Sequence, residues 1–131
     1  MATLVRRERL ESAATILLGA AAAGLLHWPV PYNQMDMTAQ GFILRWLIAG
    51  AVAGLAARVL LKRPVSVTAG LIAVGYIAAV MARVVVETMA DPTDHNLWPF
   101  EVMIGGGIGL LGGGAGALLG SIFVRGKPEA R

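Results

Sequence analysis

No cysteine occurs among the 131 residues, so disulfide staples, thiolate metal sites and a cysteine nucleophile are all excluded. Charged residues are scarce at 15% and aromatics reach only 6%. A soluble domain carries roughly 25% charged residues, and a chain this short has too much surface for its volume to hide a large apolar excess. The histidines number two, and no His-Glu-x-x-His, Ser/His/Asp set or Gly-Lys-Ser/Thr phosphate loop is present. Neither enzymatic chemistry nor a cofactor is expected. Disorder is excluded as well, because the net charge is only +3 while 56% of residues are apolar.

What the chain does have is long apolar stretches, with a mean hydropathy of +0.68. Four runs, at about 12–28, 41–61, 65–89 and 99–124, are each near the ~20 residues that a helix needs to cross a bilayer. Glycine and alanine dominate them and no strand-like alternation is sustained, so the expected fold is an all-α membrane protein, one domain of four transmembrane helices. The first run is too long for a signal-peptide core, and Trp28-Pro29 makes a poor cleavage site.

Eight of the eleven basic residues lie on one side of this arrangement: Arg6, Arg7, Arg9, Lys62, Arg63, Arg125, Lys127 and Arg131. The two opposite connections, 29–40 and 90–98, have none. The positive-inside rule then predicts cytoplasmic N- and C-termini in a bacterial-type inner membrane. Cations spread over three membrane flanks form no nucleic-acid reading surface; lipid is their expected partner, and Arg58, near the cytoplasmic end, is expected to reach lipid phosphate.

The fourth run is glycine-rich. At 100° per residue, Gly105, Gly106, Gly109, Gly112, Gly113, Gly116 and Gly120 share one arc, with Ile104, Ile108, Leu111, Leu118, Leu119 and Ile122 opposite. Glycine costs about 1 kcal/mol relative to alanine in a helix, so a bare arc implies a close backbone neighbour. That neighbour is either within the bundle or in a second copy or membrane-complex partner, through Gly-x-x-x-Gly ridges. A four-helix bundle has little interior, which points to a homo-oligomer or complex subunit.

Charges within the runs mark the candidate sites. Arg45 continues the Ala49/Ala53/Ala57 ridge, whereas Arg83 and Glu87 follow Gly75 and Ala79 at four-residue steps. Glu101 begins the fourth run, where the helix dipole favours a carboxylate. These four predict an outer ion-pair network that fixes helix register; alternatively they line the vestibule of a small oligomeric channel or transporter for an anion, a proton or a divalent cation. Asp91, Asp94 and His95 offer oxygen and imidazole donors for a metal ion, although Asp91-Pro92-x-Asp94 also reads as the start of a short surface helix. Trp28, Tyr32, Trp46 and Trp98 are expected in the interfacial aromatic belt.

Overall fold

A computed structural model describes residues 1–125. The C-terminal cations Lys127 and Arg131 lie outside the described residues. The described residues fold into four helices, α1 (Ala2–His27), α2 (Gln40–Leu61), α3 (Val65–Ala90) and α4 (Trp98–Arg125), with one short 3₁₀ turn at Tyr32–Gln34. All four are long and apolar enough to cross a membrane. α1 runs upstream of its apolar stretch because the residues there are good helix formers; Arg7 and Glu11 pair along it at 2.8 Å.

Two connections of different character set the two ends of the bundle. Between α2 and α3, Lys62 adopts a left-handed conformation (φ 56°) and its N–H donates to the Arg58 carbonyl at 3.0 Å. This is a helix stop, reinforced by Pro64 two residues on. At this turn end, Arg58 donates to Ser121 Oγ (3.0 Å) and the Arg63 carbonyl (2.9 Å). Arg63 in turn donates to Ser12 Oγ at 2.5 Å. The opposite, loop end carries residues 28–39 and 91–97.

α4 packs against α2 and α3, and α1 against α3, at separations that only glycine permits. A β-carbon on Gly116 would overlap the backbone of Ala51, and one on Gly54 the backbone of Gly113. On the other side, a β-carbon on Gly75 would lie 2.6 Å from the Ala20 nitrogen, and one on Gly19 2.5 Å from the Ile72 oxygen. All seven glycines of the α4 arc are buried. Several receive a large side chain: Trp46 and Val80 at Gly105, Tyr76 at Gly109, Ile72 at Gly113. Leu111, Leu118, Leu119 and Ile122 face outward, whereas Ile108, assigned by spacing to the outward arc, is buried.

The centre of the bundle is therefore filled. Trp46, Ile72, Tyr76 and Val80 are all fully buried. Trp46 and Tyr76 meet edge to face, with ring centroids 5.2 Å apart. The Tyr76 hydroxyl donates to the Trp46 carbonyl at 2.6 Å. Trp46 belongs to this core and not to the interfacial belt; Trp28 and Trp98 are about half exposed.

Candidate functional site

The polar residues of the loop end gather above that core. Arg83 sits two turns before the end of α3, on the face that buries Gly75 and Ala79, and is 1% exposed. Its Nε donates to Glu87 Oε1 at 2.8 Å, one helical turn further on. Its Nη1 donates to the His27 carbonyl and contacts Met35 Sδ at 3.6 Å. The Nη2 donates to the Val30 carbonyl at 2.5 Å. Arg83 thus places a positive charge at the C-terminal, electronegative end of α1 and holds the α1–α2 connection down on α3.

The α3–α4 connection closes on the same spot. Asp91 accepts from the Thr93 N–H (2.9 Å) and hydroxyl (2.7 Å), which is the contact expected of a helix cap. The expected surface helix nevertheless does not form: residues 92–97 make successive turns, and His95 takes a left-handed conformation (φ 58°). That backbone is uncommon for a residue with a side chain. Here it accompanies an imidazole driven inward to 1% exposure. Its Nδ1 lies 2.7 Å from Glu101 Oε2 and its Nε2 contacts Glu87 Oε2. Glu101, 7% exposed, sits in the first turn of α4. Tyr32 covers the group, its ring 4.1 Å from that of His95 and its hydroxyl 3.5 Å from Glu101 Oε1. Burial, with the Glu101 carboxylate beside it, pushes the Tyr32 phenol up from its ordinary value, so it stays protonated as a donor.

The imidazole thereby joins Glu87 to Glu101, and the arrangement is a chain of polar contacts from the His27 and Val30 carbonyls through Arg83, Glu87 and His95 to Glu101.

Of the sequence candidates, Arg83, Glu87 and Glu101 come together, and His95 joins them. Arg45 does not. It is exposed, and its Nε donates only to the Gly41 carbonyl of its own helix at 3.0 Å. Four-residue steps advance about 40° beyond a full turn, so the ridge rotates outward as it rises. Ala57 is 1% and Ala53 6% exposed, Ala49 is half-buried and Arg45 lies in the open. Asp91 is occupied by Thr93, and Asp94 takes no part in the hydrogen bonds around His95. Among the described residues, no three His, Asp or Glu side chains are placed to hold a metal ion. The two nitrogens of His95 face different carboxylates instead of converging on one point.

His27, an interfacial histidine by its place at the outer end of the first run, lies inside the bundle instead. It is fully buried against Trp46 (ring centroids 5.2 Å apart) and Phe42 (6.4 Å), and neither ring nitrogen has a partner within the protein. Trp46 Nε1 is unpartnered too. Buried polar atoms left unpaired cost about 1–3 kcal/mol, and this pair concentrates that cost at one place, the upper end of the α1–α2 contact. A cleft of about 500 Å³ reaches Glu101 and Tyr32 from the side, but its other walls are Met35, Met37, Leu97, Phe100 and Ile104, with Thr38 the one further polar residue. No protein family, curated protein or solved structure matches the chain.

Proposed function

We propose that this chain is a non-enzymatic, multi-pass protein of a bacterial-type inner membrane, with both termini cytoplasmic, that works as a self-associating unit or as a small subunit of a membrane complex. The loop end then faces outward and the cation-flanked turn end faces the cytoplasm. The observation that carries the reading is the filled core beneath the charge cluster: Trp46, Ile72, Tyr76 and Val80 have no exposure at all. Among the described residues, their one side-chain hydrogen bond is the internal one from Tyr76 to the Trp46 carbonyl. An ion leaving Glu87 or Arg83 toward the cytoplasm would meet hydrocarbon, where a bare charge is costly. The cluster acts as a latch that joins both outer connections to α3 and α4.

Because the seven arc glycines of α4 are taken up inside the bundle, contacts with a second copy or a complex partner fall to the aliphatic shell. On α4 that shell includes Leu111, Leu118, Ile122 and Phe123, all more than 60% exposed. The competing reading, a small channel or transporter entered through Arg83, Glu87 and Glu101, draws support from the contacts of one imidazole, His95, with two carboxylates. Reconstitution in liposomes separates the two. The latch predicts anion, proton and divalent-cation flux equal to that of protein-free vesicles. Flux that disappears in Arg83→Gln while assembly survives would establish the transporter instead.

A further inference from the structure

We infer that the α1–α2 side of the bundle binds one phospholipid, its phosphate on Arg45 and one acyl chain in the groove below. Three recesses adjoin there. The uppermost, about 190 Å³, is lined by Gln34, Asp36 and Arg45 among others. A small cavity of about 40 Å³ follows, sharing Val30, Phe42 and Arg45 with the first and adding Trp46 and Leu26. Leu26 also belongs to the third, an apolar groove of about 400 Å³ between Leu18, Ala22 and Leu25 of α1 and Ala49, Val52 and Ala56 of α2. Alanine on both walls leaves room that larger side chains would fill.

Two independent features show what the surface takes. Arg45 is an exposed guanidinium with no carboxylate within ion-pair distance among the described residues. Among the described residues its Nη atoms have no partner, and only Nε donates. The groove below it is walled by leucine, alanine and valine alone. An exposed guanidinium at the head of an apolar groove calls for a ligand with oxygen acceptors at one end and hydrocarbon at the other. Asp36 at the rim is engaged by the Thr38 N–H and hydroxyl through Oδ1, so a zwitterionic head satisfies both charges.

Length selects a lipid over a helix. From Arg45 to Ala56 is eleven residues, ~16 Å along α2, and one leaflet of the ~30 Å hydrocarbon core is ~15 Å deep. The groove therefore spans one leaflet, the reach of a single acyl chain, where a partner helix would be held across both.

Native mass spectrometry of the detergent-purified full chain tests this, with phosphatidylethanolamine and a diacylglycerol of identical chains as probes. One phosphatidylethanolamine per chain is expected, bound roughly tenfold or more tightly than diacylglycerol, as befits a charged hydrogen bond. Arg45→Gln, a change at an exposed site, is expected to abolish that preference. Ala49→Phe fills the groove and weakens both lipids, with Ala56→Leu as the milder second variant, and size-exclusion profiles report that each remains folded. A preference unchanged by Arg45→Gln overturns the site. So does binding unaffected by both groove variants, or a lipid-free dimer that Ala49→Phe converts to monomer, which would assign the groove to a second copy.

Discussion

Arg45 and Arg83 lie at similar depth near the loop end, yet one side of the bundle closes around its arginine and the other leaves its arginine free. On the α3–α4 side, Arg83 is 1% exposed and spends Nε, Nη1 and Nη2 on Glu87 and two carbonyls of the α1–α2 connection. Below it, glycine arcs bring backbones into close contact. On the α1–α2 side, Arg45 bonds only to its own helix, above an alanine-walled groove. The difference follows from what each helix offers its neighbours. A glycine face lets helices touch along their length, and that contact fixes where a charge one turn above must point. An alanine face with an outward-rotating ridge fixes nothing.

The largest expected contrast is steric. Gly116→Leu would drive a side chain into the Ala51 backbone and is expected to abolish the folded bundle, seen as a loss of monodispersity in detergent. Ala49→Leu, on the open side, is expected to fold with a stability change within about 0.5 kcal/mol. Comparable losses for both would erase the distinction between the two sides.

Next comes charge. Arg83→Met leaves Glu87 facing His95 without its cation and frees two buried carbonyls. A destabilisation of about 3–5 kcal/mol is expected, as for other broken buried pairs. Arg45→Met should alter the same thermal or denaturant unfolding measurement by no more than about 0.5 kcal/mol. Equal effects would mean that the two arginines have the same surroundings.

A smaller effect, about 1.5–3 kcal/mol for one charged hydrogen bond, is expected at His95, which joins Glu87 to Glu101. His95→Phe keeps a ring but removes both contacts, and should lower unfolding stability by that amount, whereas Arg45→Gln should leave it intact. Unchanged stability in His95→Phe would mean that the imidazole does not hold the two carboxylates together.

The smallest effect lies in the loops. Hydrogen bonds from Thr93 hold the Asp91 carboxyl below its ordinary value, and those from Thr38 do the same for Asp36. Their contribution is present above the ordinary carboxyl range and is lost as pH falls through the lowered one. Both side chains are solvent-exposed, so Thr93→Val should cause only a slight loss at neutral pH, read by hydrogen exchange at the backbone amide of position 93.

Long-range apolar periodicity made the four helices legible, and the shared arc of Gly105 to Gly120 follows from spacing alone. The same spacing carried Arg83 and Glu87 to a packed face, because Gly75 and Ala79 continue without interruption into them. It failed for Arg45, where the 40° drift per step had accumulated over three steps by the end of the ridge. The partners of Arg83 were not legible at all: two are main-chain carbonyls, which every residue possesses. His95 was hidden by its local context. Asp91-Pro92-x-Asp94 favours a helix start, and only the inward pull of Glu87 and Glu101, eight residues before and six after, accounts for the left-handed turn. His27 and Trp46 read as interfacial residues because nothing in a single sequence says that two helices will close over them.

The central claim is that the loop-end cluster is a closed latch without a watery path beneath it. Single cysteines introduced into this cysteine-free chain test it directly, by labelling intact cells with a membrane-impermeant maleimide. Asp91→Cys is expected to label from outside, in keeping with an outward loop end. Ala79→Cys, one turn below Arg83 and 7% exposed in the native chain, is expected to stay unlabelled until the protein is denatured. Labelling of Ala79→Cys in the native membrane at a rate comparable to Asp91→Cys would contradict the claim, since water would then reach below the arginine.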